Sequence, residues 1–145
     1  MKIFTIGFTQ KSAEEFFSLL QNNQIEKVVD IRVHPGGQLA GFAKDRDLAF
    51  FLRELAGIEY VHQPGLAPTE ELMKAYRADK DTAAWEAGYR KLLAKRGLPA
   101  GLERSMFEQQ VCCLLCSEAQ AEHCHRRIAA EMMKDEWGEV EVIHI

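Results

Sequence analysis

Cys116, Glu118, Cys124, His125 and Arg126 stand close together near the end of the chain, and their types suit nucleophilic or anion-binding chemistry. A thiol becomes nucleophilic when histidine, arginine or a helix N-terminus stabilises its thiolate. All three stabilisers reach Cys116 if the segment after it folds into a helix that turns its N-terminus back. Covalent catalysis by Cys116 asks for a base within hydrogen-bond reach, and His125 is the nearest in sequence. Asp30 or Glu118 is the candidate acid or base. The same helix N-terminus, with Arg126 and Arg32, suits a phosphate or carboxylate. The candidate catalytic residues are therefore Cys116, Glu118, His125 and Asp30. Gly7, Thr9, Arg32, Tyr60, Cys124 and Arg126 are the candidate ligand-binding residues.

The cysteines also have plainer readings. Cys112 and Cys113 lie within an apolar run and read as small buried hydrophobes. Cys113-Leu114-Leu115-Cys116 is formally a C-x-x-C pattern, yet residues three apart on a strand face opposite ways. Four reduced thiols and no disulfide are the expectation. A zinc site would use Cys116, Cys124 and His125, with Glu118, Cys113 or His123 as further donors. Against it, neighbouring residues on a helix point about 100° apart, and structural zinc sites repeat a short C-x-x-C-like knuckle. No metal is expected, and zinc stands as the lesser alternative. Cys116 is not followed by a phosphate-cradling loop ending in arginine at short spacing, which excludes a protein-tyrosine-phosphatase signature. Asp30 and Arg32 sit at alternating strand positions, where an ion pair closing the sheet edge is the structural alternative to a catalytic role.

These residues must be positioned by the elements that carry them. Lys2-Ile3-Phe4-Thr5-Ile6-Gly7 reads as a strand. Ser12-Ala13-Glu14-Glu15 is a capping box, followed by an amphipathic helix that ends near Asn22-Asn23. Lys27 to Arg32 is a second strand, and its Val-Val centre suits burial on both faces. His34-Pro35-Gly36-Gly37 is loop. Asp47 to Ala56 is a helix with Gly57 as its C-cap, and Ile58 to His62 is the third strand. Thr69 to Gly97 reads as helical, Leu98-Pro99-Ala100-Gly101 breaks it, and Leu102 to Gln109 is a short helix. Val111 to Cys116 is the fourth strand, a helix runs from His123 to Glu136, and Val140 to His144 is the fifth strand.

Strands alternating with helices predict an α/β fold. The expectation is a single three-layer, Rossmann-like domain over residues 1–145 with about five largely parallel strands, their order left open. Ligands bind beyond the carboxyl ends of such strands, which is where the unusual residues fall.

Composition narrows the function classes. The 145 residues are 47% hydrophobic and 28% charged, with a net charge of −4. The acidic balance, with a pI near 5.7, argues against a general nucleic-acid-binding surface, which needs clustered basic charge. No apolar run approaches the roughly 20 residues that span a bilayer, and Met1 to Gly7 carries no signal-peptide pattern. A cytoplasmic protein without a membrane partner is expected.

Thr5-Ile6-Gly7-Phe8-Thr9, Val29-Asp30-Ile31-Arg32 followed by Pro35, Gly57-Ile58-x-Tyr60, and Cys116-x-Glu118 with Cys124-His125-Arg126 occur in this order along nearly the whole chain. In these motifs the sequence resembles the prokaryotic group catalogued as domain of unknown function 488. It departs at Phe8, where that family commonly has histidine, and at Leu66-Ala67, where a Leu-Gly pair is frequent. The resemblance implies an α/β fold and marks the sheet-edge residues as a signature, but it supplies no reaction. The residues themselves favour an anion- or nucleotide-recognising pocket for a phosphorylated or nucleotide-like small molecule; Cys, His, Arg and carboxylate chemistry is available to it, and whether it is an enzyme stays open. The alternative is a non-catalytic protein- or nucleic-acid-interaction module, with Phe42, Trp85 and Trp137 available to cover an interface. The cofactor and the oligomeric state stay open.

Overall fold

The alternation of strand and helix is realised as one parallel sheet. A computed structural model describes residues 1–37 and 40–145 of the chain. Its first half contains β1 (Lys2–Gly7), α1 (Ala13–Asn22), β2 (Lys27–Asp30), α2 (Asp45–Phe51) and β3 (Glu59–His62). The second half contains α3 (Glu70–Asp79), α4 (Thr82–Lys95), α5 (Arg104–Gln109), β4 (Cys112–Cys116), α6 (His125–Trp137) and β5 (Glu141–His144). The strand order is β3-β2-β4-β1-β5, and every pairing is parallel.

Local chemistry accounts for the boundaries. The Ser12 hydroxyl accepts from the Glu15 amide while the Glu15 carboxylate accepts from the Ser12 amide, so the capping box starts α1 as the sequence indicates. Helix α2 passes into one π-helical turn, Leu52–Ala56, which Gly57 ends in the left-handed region with φ 65°. The long helical stretch after Thr69 is two helices, because Lys80 turns left-handed at φ 55° and the Asp81 carboxylate caps the amide of Ala84. Helix α6 begins two residues later than expected. Cys124 is extended, with φ −107° and ψ 141°, and serves as its N-cap.

Alternation along β4 divides the core. Cys112, Leu114 and Cys116 pack with Trp85, Tyr89 and Leu93 of α4 and Ile128, Ala129 and Met133 of α6. Cys113 and Leu115 face the other way, onto Phe16 and Leu20 of α1 and Leu48 of α2. The sheet is thus the middle of three layers, and its central strand is buried on both faces. Arg127 on α6 reaches Glu86 of α4 at 2.7 Å, and Arg90 of α4 reaches Glu131 of α6 at 2.9 Å. This network holds α6 in register with α4. Among the described residues, no helix is long and apolar enough to cross a membrane.

The neighbours β2 and β4 send the chain to opposite faces of the sheet, β2 toward α2 and β4 toward α6. Such a switch point leaves a crevice at the carboxyl ends of the two strands.

Candidate functional site

The crevice is a cavity of about 440 Å³, walled by Arg32 to His34 after β2, by Cys116 to Glu118 after β4, by His123 to His125 at the start of α6, and by α3 with Trp85. Of the expected site residues, Arg32, Cys116, Glu118, Cys124 and His125 line it. Asp30, Tyr60, Gly7, Thr9 and Arg126 are not among its lining residues, and lie behind or beside this wall, tied to it by hydrogen bonds or by close packing.

Asp30 and Arg32 form a buried unit. Asp30 is fully buried and Arg32 is 2% exposed. The Arg32 guanidinium donates from Nε to Asp30 Oδ1 at 2.9 Å, from Nη2 to Asp30 Oδ2 at 2.7 Å, and from Nη1 to the Ala43 carbonyl at 2.6 Å. Tyr60 Oη donates to Asp30 Oδ2 at 2.6 Å. Burial, reinforced by the Asp30 charge, pushes the Tyr60 phenol well above its usual pKa, so it stays a donor. The guanidinium also lies over the Phe8 ring, 5.4 Å from its centroid, so the apolar Phe8 packs against Arg32. Tyr60→Phe removes one of the bonds to a buried carboxylate. The expected loss is about 1.5–3 kcal/mol, read as a lower urea midpoint at unchanged m-value; an unchanged midpoint would show that the bond is not made.

Arg126 is also internal, at 1% exposure. It donates from Nη1 to the Glu118 carbonyl and to Cys116 Sγ at 3.3 Å, from Nη2 to the Ala119 carbonyl at 3.2 Å, and from Nε to Thr5 Oγ1 at 3.3 Å. No carboxylate lies within ion-pair distance of it among the described residues. Thr9 binds the same turn, its amide and hydroxyl donating to the Ser117 carbonyl at 3.1 and 2.6 Å. Gly7 lets the Glu118 carbonyl cross the end of β1.

The thiols depart from expectation. Cys116 and Cys124 form a disulfide, while Cys112 and Cys113 are free and buried. This corrects the expectation of four reduced thiols. The argument against a Cys113–Cys116 pair stands, since those residues enter opposite layers. The partner comes instead from across the turn, where the extended N-cap brings Cys124 to the end of β4. Burial pushes the Cys112 thiol up to about 11, and the Cys113 thiol still higher, so neither is a nucleophile at neutral pH.

His125 joins the pair. Its Nε2 lies 2.8 Å from the Ile31 carbonyl, and a carbonyl only accepts, so the ring proton sits on Nε2. Nδ1 is left facing Cys124 Sγ at 3.9 Å. Burial lowers its pKa to about 4. The two sulfurs and Nδ1 lie within 4.8 Å of one another. The bond to Ile31 also links the start of α6 to the end of β2, closing the crevice floor.

Residues 12–133 match a family model described as Domain of unknown function DUF488. The chain belongs to the DUF488 family. Within the matched span lie Asp30, Arg32, Tyr60, Cys116, Glu118, Cys124, His125 and Arg126, whereas Gly7 and Thr9 precede it. Neither a curated protein nor a solved structure matches the chain. In this DUF488 chain the cavity also uses residues outside the expected site set. Lys74 and Arg77 of α3 line it, as does Trp85, whose buried Nε1 has no hydrogen-bond partner among the described residues. For Lys74 and Arg77 the sequence signal is that α3 is too polar to sit in a core, and no residue of α3 is buried.

Proposed function

We propose that this protein is a two-cysteine thiol–disulfide oxidoreductase acting on a small anionic disulfide held in the crevice. The observation that carries the reading is the Cys116–Cys124 bridge in the cavity wall. In the reduced protein the Cys116 thiolate attacks one sulfur of the substrate disulfide. The substrate S–S bond breaks, and the departing thiolate takes a proton from water. Cys124, after losing its proton to water, then attacks Cys116 Sγ in the mixed disulfide and expels the second substrate thiolate, which takes a proton from water in turn. Two electrons pass from the protein dithiol to the substrate, which leaves as two thiols. An external thiol reductant restores the dithiol by the same exchange run in reverse.

The surroundings support this assignment of roles. Arg126 Nη1 donates to Cys116 Sγ, which suits a sulfur that carries negative charge during attack. His125 presents Nδ1 on the side from which the Cys124 proton leaves. Recognition of the anion passes from Arg32 and Arg126, which are engaged internally, to Lys74 and Arg77 on the cavity wall, with the Trp85 Nε1 donor available to an acceptor group of the substrate. Glu118 is exposed at the rim, where it selects against substrates with a second anion at that end.

Metal-free reduced protein treated with dithiobis-nitrobenzoate, an anionic disulfide, tests this. Release of two thiolates per chain is expected, leaving protein lighter by two hydrogens and without adduct. Cys124→Ser should stop at a stable mixed disulfide on Cys116, identified by peptide mass. If the wild-type protein instead retains separate adducts on both cysteines, the exchange mechanism is wrong and the residues hold α6 to the sheet as in the interaction-module alternative.

A further inference from the structure

We infer that the reduced site binds one thiophilic divalent cation of the zinc class through Cys116 Sγ, Cys124 Sγ and His125 Nδ1, with its fourth position open to the cavity. The inference deepens the preceding reading and rests on the bridge being reducible. Sequence spacing argued against zinc because adjacent helical residues diverge. That objection does not hold here, because Cys124 is the extended N-cap and only His125 is helical.

Three features fit the donor set to such an ion. First, the three donor atoms already lie within 4.8 Å of one another and belong to buried residues. The Cys124 Sγ to His125 Nδ1 distance is 3.9 Å. A tetrahedron with Zn–S of about 2.3 Å and Zn–N of about 2.0 Å has an S···N edge of roughly 3.5 Å, so little movement is needed once the sulfurs part. Second, the hydrogen bond from His125 Nε2 to the Ile31 carbonyl fixes the ring's tautomer and orientation. Metal-binding histidines use this kind of outer contact. Third, Arg126 is a buried guanidinium with no carboxylate at ion-pair distance among the described residues, and its Nη1 points at Cys116 Sγ. A thiolate ligand supplies the opposing charge that the disulfide does not.

Two thiolates and one imidazole leave a four-coordinate ion one position short, and the cavity that all three residues line opens onto it. Three protein ligands with an open place are the pattern of a catalytic rather than a structural zinc ion. The site and the bridge exclude one another. When a disulfide-class oxidant takes two electrons from the paired thiolates, the S–S bond forms and the cation is released.

The test uses full-length protein reduced with a phosphine, which brings no competing thiol, and mass spectrometry after alkylation to establish that the bridge has opened. Titration with Co²⁺ should give a thiolate-to-cobalt charge-transfer band that saturates at one ion per chain and is displaced by Zn²⁺. The disulfide form should give no such band. Loss of an outer-shell partner alone weakens metal binding about 10–100-fold, so His125→Gln should weaken Co²⁺ binding by more than about tenfold. Because His125 is buried and that variant can misfold, X-ray absorption of the zinc-loaded wild-type protein provides the second readout, with two sulfur neighbours and one imidazole expected. Absence of the charge-transfer band in protein shown to be reduced overturns the metal site while leaving the exchange reaction standing. A bridge that resists the phosphine overturns both readings. Cobalt binding without exchange chemistry removes only the oxidoreductase.

Discussion

Replacing Gly7 with alanine is expected to destabilise the protein by about 3 kcal/mol or more and to disorganise the cysteine site at the same time. Gly7 ends β1 and pairs with Cys116 on β4. A Cβ at this position would fall on the Glu118 carbonyl oxygen, 2.6 Å from the Glu118 carbonyl carbon and 2.7 Å from Arg126 Nη1. None of these atoms can retreat cheaply. Glu118 O accepts from Arg126, and the preceding Ser117 carbonyl is held by both donors of Thr9. Overpacking a core costs about 1–3 kcal/mol, occasionally more, and a clash with fixed backbone belongs at the upper end. Gly41→Ala is the control, since a Cβ there meets nothing within 4 Å. Urea denaturation of the two variants should separate them clearly, and the Gly7 variant should also lose the cobalt signal. A Gly7→Ala protein with an unchanged midpoint would show that the Glu118 carbonyl does not cross the end of β1.

The same position shows how far the sequence could be read. Gly7 could be picked out by type and by its place at a strand exit, but the reason for it is a carbonyl more than a hundred residues away in the chain. Alternation within strands and the capping of α1 are local, so the α/β class, the five strands and the opposite facing of Cys113 and Cys116 were all legible. Strand order was not, because β4 inserts between β1 and β2 through packing of its two apolar faces against different helices. The cysteine pairing was missed for a related reason. Strand alternation speaks only to pairs within β4, whereas Cys124 is the extended N-cap of α6 and its position depends on where that helix docks. Arg32 and Arg126 were recognisable as unusual cations. Their engagement depends on the Ala43, Glu118 and Ala119 carbonyls, which belong to loops without a sequence signature.

For Arg126, the arrangement predicts that Arg126→Met lowers stability by about 3–5 kcal/mol, although methionine keeps much of the side-chain volume. A guanidinium in the first turn of a helix is disfavoured by the macrodipole by roughly 0.3–1 kcal/mol when exposed. A bound anion at the surface would offset that, and its loss would leave folding nearly untouched. Here the offset comes from inside the protein. The guanidinium joins the Glu118 and Ala119 carbonyls, Cys116 Sγ and Thr5 Oγ1, and the Thr5 hydroxyl in turn shares a hydrogen bond of 2.6 Å with His144 Nδ1. Each hydrogen bond to a charged group contributes about 1.5–3 kcal/mol, and each acceptor left buried without a donor costs about 1–3 kcal/mol. These effects overlap, which keeps the expected total within a few kcal/mol of one such bond. Arg126→Lys separates charge from geometry. A single ammonium restores the positive charge, but its three donors radiate from one atom and do not reach the four acceptors that Nε, Nη1 and Nη2 address, so it should recover less than half of the loss. Chemical denaturation of both variants, with phosphate present and absent, gives the answer. A methionine variant within about 1 kcal/mol of the parent, as for surface substitutions, together with loss of a phosphate-dependent stabilisation, would return Arg126 to the role of an exposed anion clamp. A large loss that phosphate does not modify makes it the strut that holds the Cys116–Glu118 turn, and with it the cysteine pair, against the end of β1.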